Sequence, residues 1–262
     1  MTDNNGYWNG LPGRGISLMG LTIRQMLRTK SVILALLILL VPAFIGLYAS
    51  IWPPSDYKPM ELFADLSLFL FLQFYVLLYS LIYAAPLLNE EIEKKTMTYL
   101  ISRPMKRWEV AVFKFIGFVI SINILFAIAV FVTYVTFNIH DSFSLFADNL
   151  DLMFYVWLIM FLGSLAYGAL FAMAGAMFKH PLMIGILFAF IWEVFIVNIG
   201  GNIRKVTIMY YLRSVFYDRV ALGNILTMTK METPEFSVFA IIFLMLLCIG
   251  LTCYVVSRKD MN

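Results

Sequence analysis

Charge is scarce in this chain. Asp, Glu, Lys and Arg together make up 13% of its 262 residues, against 62% hydrophobic residues and a mean hydropathy of +0.86. No soluble domain of this length needs so much apolar surface, so a water-soluble globular enzyme is excluded. The net charge of +3 is small and its cations gather at the borders of apolar runs, which argues against nucleic acid as a partner. Cysteine is nearly absent: Cys248 and Cys253 lie five apart in one apolar run, where they cannot face each other on a helix, and no disulfide is expected. Histidine is equally rare. His140 and His180 fall in loops on opposite sides of a membrane-spanning segment, so they share neither a metal nor a catalytic triad, and no metal or other cofactor is expected. The phosphate-loop pattern is also missing. Gly10 and Gly15 keep its glycine spacing but no lysine follows, so the chain is not expected to hydrolyse ATP by itself. No cleavable signal peptide is expected, because residues 1–31 are polar or amphipathic and the first long apolar run reads as a retained anchor.

What the chain does contain is apolar runs long enough to cross a hydrocarbon core, which takes about 20 helical residues. Six are expected: Val32–Trp52, Leu62–Leu88, Glu109–Thr136, Asp151–Phe178, Leu182–Ile199 and Phe236–Val256. Met1–Gly15, rich in Asn and Gly, reads as disordered, and Ile16–Lys30 as a basic amphipathic helix lying in the interface or extending the first span. In the fourth run Ser164, Gly168, Ala172 and Ala176 recur every four residues, with Gly163 and Gly175 beside them. They build a smooth face for close helix contact within one subunit. Lys114 lies one turn inside the third run, placed to snorkel toward headgroups. Glu193 sits deep in the fifth run, with Asn198 one turn later. A carboxylate at that depth touches substrate, carries a proton or pairs with a polar group on another span.

The densest charge lies between the second and third runs, in NEEIEKKTMTYLISRPMKRWEVAVFK from Asn89 to Lys114. Pro86 precedes it and kinks the end of the apolar run. Asn89 reads as an N-cap, with Glu90, Glu91 and Glu93 in a first turn where the helix dipole favours anions. Pro104 stops the short helix near Ser102. Lys106, Arg107 and Trp108 suit a headgroup layer.

This stretch resembles the first cytoplasmic loop of type-2 ABC-transporter permeases: an acidic pair, a Thr, a Leu-rich turn, Ser-Arg-Pro, a basic residue and a Lys early in the next span. The matching residues are Glu91, Glu93, Thr96, Leu100, Ser102, Arg103, Pro104, Arg107 and Lys114, with Lys95 standing where that family usually has Gly. The resemblance implies an all-α, polytopic fold: one permease domain over residues 1–262, with six transmembrane helices, a cytoplasmic tail and interfacial helix over 1–31, a cytoplasmic coupling loop over 89–108 and an extracytoplasmic loop over 200–235. It implies an ABC ATPase subunit as partner, docked on the coupling helix, and a second permease subunit, identical or related. The second ATPase contact would fall at Lys179-His180-Pro181, between the fourth and fifth spans. It also places the second and fifth spans beside the transport path, which makes Phe74, Tyr75, Glu193 and Asn198 candidate path residues. Within 200–235, VTIMYYLRSVFYDRV is expected to form an amphipathic helix on or partly within the outer leaflet, as short re-entrant helices do in that family.

Twelve cations on the side of the termini against six on the other put both termini in the cytoplasm of a multi-pass protein of the plasma membrane, in contact with lipid. The function implied is that of the permease subunit of an ATP-driven exporter. Two other classes compete with it. A membrane sensor or immunity protein fits the spans equally but has no use for the docking loop. An intramembrane protease would share the Glu90-Glu91 pair, but Lys95 stands where its arginine belongs and its intramembrane histidines are missing.

Overall fold

In a bilayer every backbone N–H and C=O must be paired within the protein, so apolar runs of this length become helices. The computed structural model describes residues 4–28, 30–53, 58–93, 106–139, 149–198, 202–219 and 232–258, and among them the regular structure is entirely helical. We number the helices α1 (Asn4–Arg28), α2 (Val32–Ile51), α3 (residues 59–93), α4 (Arg107–Phe137), α5 (Leu150–Met177), α6 (Pro181–Phe195), α7 (Ile208–Arg219) and α8 (Pro234–Arg258). Five of these, α2, α3, α4, α5 and α8, are long and apolar enough to cross a membrane, whereas α6 is shorter. A helical turn over Ile196–Asn198 continues α6 through most of the expected fifth span.

Helix α5 sits at the centre and touches α3, α4, α6, α7 and α8. Its small residues allow this on two faces. On one, a Cβ at Gly168 would stand 2.4 Å from the Phe118 ring of α4, and Asn123 Nδ2 donates to Ser164 Oγ at 2.9 Å. On the other, a Cβ at Gly175 would lie 2.2 Å from the Ala85 carbonyl oxygen of α3. The four-residue stripe of α5 thus serves contact within the subunit, while Gly163 and Gly175 open a separate face toward α3.

Helix α2 is held to α4 where Gly46 meets Phe137 and Ser50 Oγ donates to the Thr136 carbonyl at 2.8 Å. Helix α1 crosses the start of α4, with Gly15 against Phe113 and the Met19 carbonyl close to Gly117. This corrects the expectation of disorder over Met1–Gly15: the backbone is helical from Asn4. Helix-poor glycines are carried because packing of the following turns on α4 outweighs a propensity cost of about 1 kcal/mol per glycine.

Two stretches widen to π-helix, Ser67–Val76 inside α3 and Phe188–Phe195 in α6. In α6 this has a geometric consequence. Pro181, Gly185, Ala189, Glu193 and Val197 are buried, four residues apart, while Met183, Leu187, Ile191 and Phe195 are exposed. A four-residue step overshoots a turn in an α-helix and falls short of one in a helix bonded i to i+5, so the two segments cancel each other's drift. The buried ridge therefore stays on one side of α6 along its length.

Two local expectations are corrected at the end of α3. Its last segment, Pro86–Glu93, follows a bend at Ala85, so Asn89 lies inside a helix and is not its N-cap. Proline is suited to that first turn, where its missing N–H has no intrahelical partner to lose. Asn89 Nδ2 instead donates to the Lys179 carbonyl at 3.5 Å, joining this end to the α5–α6 turn. Lys114 does not extend outward. It is buried, and its Nζ donates to the Leu87 carbonyl at 3.3 Å.

Candidate functional site

The first amides of a helix lack intrahelical acceptors and carry the positive end of its dipole. At the start of α7 all of these donors that the structure pairs are paired by side chains. Glu193 Oε1 accepts from the Ile208 N–H at 3.1 Å, Oε2 accepts from the Met209 N–H at 3.1 Å, and Thr207 Oγ1 accepts from the Tyr210 N–H at 3.3 Å. Thr207 is thus the N-cap, and Glu193 supplies the anion that such an end favours. Glu193 Oε2 also accepts the Tyr167 hydroxyl at 2.7 Å, and the two side chains are 1% and 0% exposed. Of the three roles open to Glu193 in the sequence, pairing with polar groups on other elements is the one the geometry displays.

Helix α7 is buried along both sides rather than lying on a surface: Thr207 to Tyr210 and Leu212 to Phe216 are all buried. Three further polar contacts fix it. Arg213 Nη2 donates to Gln73 Oε1 in the π-helical part of α3 at 2.6 Å. The Tyr155 hydroxyl of α5 donates to the Val215 carbonyl. Ser214 Oγ donates to the Glu232 carbonyl at 2.6 Å, just before α8, and Glu232 pairs with Lys205 at 2.6 Å. α7 is therefore tied at once to α3, α5, α6 and the approach to α8, through Gln73 of one π-helical stretch and Glu193 of the other.

Arg213 is only 2% exposed, and its Nε and Nη1 have no hydrogen-bond partner. The hydroxyls of Tyr217 and Tyr210 are likewise buried and unpaired.

The other expected site residues are spread out. Phe74 is half-buried against Phe69, and Tyr75 is buried with its hydroxyl on the Ile38 carbonyl of α2 at 2.8 Å. Neither meets Glu193; their neighbour Gln73 is the residue of α3 that reaches α7. The backbone of Asn198 ends the helical turn after α6. Glu91 and Glu93 lie in the helical end of α3, and Arg107 opens α4, where the Lys106 N–H donates to Glu109 Oε2 at 2.9 Å. Thr96, Leu100, Ser102, Arg103 and Pro104 lie outside the described residues. Among the described residues no group of three or more His, Cys, Asp or Glu is gathered to hold a metal ion.

Sequence reading missed Gln73, Tyr167, Arg213 and Tyr217. A signal existed for two of them: Gln73 is the lone amide in a long aromatic run, and Arg213 interrupts an apolar one.

Five helices long and apolar enough to cross a membrane, packed about α5, define a multi-pass membrane protein. The chain belongs to the ABC-2 family of transporter proteins, whose model matches residues 16–261. It is thereby the membrane permease component of an ABC transporter, a transmembrane part that is not itself catalytic. No curated protein matches the chain.

Proposed function

We propose that this permease is half of an ATP-driven exporter, joined by a separate ABC ATPase subunit and by a second permease, identical or related. The reading is carried by the family match over residues 16–261. In it, the whole chain is one transmembrane domain of six spans, with α6 as the fifth, in the plasma membrane with both termini in the cytoplasm. The loop over 89–108 is the ATPase dock, formed by Glu91, Glu93, Thr96, Leu100, Ser102, Arg103, Pro104 and Arg107. Closure of the ATPase pair would push this loop, and the push has a route. The Asn89–Lys179 bond links the end of α3 to the α5–α6 turn, and Lys114 grips Leu87. α3 and α6 then carry the displacement to α7 through Gln73 and Glu193. A π-helical stretch is a strained register that recurs at functional sites, and two such stretches flank α7. Phe74, Tyr75, Glu193 and Asn198 are assigned to the path by the resemblance of spans, and α7 is its outer closure.

The test is copurification with an ABC ATPase subunit coexpressed with this chain. Glu91→Lys reverses a charge at the dock, and Leu100→Asp spoils its apolar face. Both should leave membrane insertion normal, weaken ATPase retention by about 2–5 kcal/mol and abolish substrate-stimulated hydrolysis. Full retention and stimulation in both variants reject the dock. Orientation is checked separately: Thr98→Cys should label only from the cytoplasm and Leu145→Cys only from outside, and labelling from one common side rejects six spans.

A further inference from the structure

A buried guanidinium with free N–H groups is costly unless an anion completes it. Arg213 has that form. One of its nitrogens, Nη2, is held by the neutral amide oxygen of Gln73, while Nε and Nη1 remain unpaired at 2% exposure. Among the described residues no carboxylate forms a salt bridge with it. Glu193, the nearby buried acid, is saturated by Tyr167 and the two amides of α7. The Tyr217 hydroxyl, one turn along α7, is likewise buried and unpaired.

Nε and Nη1 sit on opposite edges of the guanidinium, and with Nη2 held by Gln73 each has an N–H to give to one oxygen of a carboxylate or phosphate. The buried, unpaired Tyr217 hydroxyl, four residues along α7, supplies a further donor. Gln73 fixes the plane of the guanidinium without neutralising it. We propose that Arg213 and Tyr217 form an oxyanion subsite, which binds a phosphate or carboxylate group of the molecule this permease moves. The proposal rests on the permease reading but needs no ATPase to test. The guanidinium is closed off when α7 and α3 are packed as here, so the anion enters when the π-helical stretch of α3 and α7 part. Occupancy of the subsite therefore favours the parted state, which makes ligand and conformation mutually dependent. The oxyanion has two sources, a lipid headgroup or a free solute, and both present the same oxygens to these donors.

The experiment is thermal unfolding of the full-length chain in maltoside micelles. One arm titrates inorganic phosphate to about 50 mM against chloride at matched ionic strength, so that a site open only part of the time still fills. The second titrates phosphatidylglycerol against diacylglycerol. Wild type should be stabilised by at least one of the two anions. Arg213→Gln should weaken the apparent Kd by about tenfold, and Tyr217→Phe by a smaller factor, as expected for loss of a charge-assisted and a neutral donor. A response in the lipid arm alone assigns the headgroup, and one in the phosphate arm alone assigns a soluble anion. If Arg213→Gln does not fold, Tyr217→Phe decides, since it removes one oxygen and keeps the ring. No stabilisation by either anion overturns the subsite. So does a stabilisation that Tyr217→Phe and any folded Arg213→Gln retain in full, since the anion then binds elsewhere. Such a failure leaves the dock and the permease reading standing, because neither ATPase binding nor transport enters the measurement.

Discussion

The two π-helical stretches hold α7 in different ways. In α3, Ser67, Leu68, Phe71, Leu72, Gln73, Tyr75 and Val76 are all buried, and the single bond from Arg213 to Gln73 is an addition to broad apolar packing. In α6, only Ala189 and Glu193 of the stretch are buried, and one carboxylate makes three hydrogen bonds to α5 and α7. A helix surrounded by protein spreads its attachment over many contacts. A helix that buries one narrow ridge concentrates it in a polar side chain, because lipid tails compete with apolar packing but not with a carboxylate. α6 should therefore depend on one residue and α3 on none.

The largest expected effect is that of Glu193→Leu. It strands the Tyr167 hydroxyl and two helix-start amides, and the unfolding free energy in mixed micelles should fall by about 3 kcal/mol or more. Glu193→Gln keeps an acceptor oxygen and should recover more than half of that loss. Equal losses in the two variants would show that the charge, rather than the hydrogen bonding, anchors α6. Gln73→Leu should cost less, about 1–2 kcal/mol, because interhelical hydrogen bonds in membranes are modest and the apolar packing of α3 is untouched. A loss at Gln73 equal to that at Glu193 would break the comparison. The smallest effect is expected at the surface pair Lys205–Glu232. The hydrogen bond and charge of Glu232 raise the Lys205 pKa above its ordinary 10.5, so the pair's contribution is complete below that value and disappears only as pH rises through the raised one. Lys205→Ala should therefore differ from wild type by the same small margin from about pH 6 to pH 9, as an exposed pair does. A margin that changes across this range would mean that another group in the α7 junction titrates.

Much of the molecule was legible without coordinates. The apolar runs marked every long apolar helix within a few residues, since run length against membrane thickness is a strong constraint, and the charged stretch from Asn89 carried the family resemblance that the match over residues 16–261 bears out. Glu193 stood out because a carboxylate in an apolar run has to be explained. The helical N-terminus was not legible: its glycines read as disorder, and its structure comes from contact with Phe113 and Gly117, distant in the chain. The burial of α7 was not legible either, since VTIMYYLRSVFYDRV has the pattern of a surface helix.

The sequence by itself determined that this protein is a helical membrane protein, where its long helices run and that Glu193 must meet something polar. Those conclusions follow from local quantities: hydropathy summed along a run, and the cost of one charge within it. Only the tertiary structure decided what Glu193 meets, that Gln73 and not Tyr75 faces α7, and that Arg213 is buried with two donors free. A polar partner in a membrane is chosen by which helices lie side by side. That depends on small residues such as Gly168 and Gly175 letting α5 approach α4 and α3, and the spacing of polar residues along the chain carries no record of it.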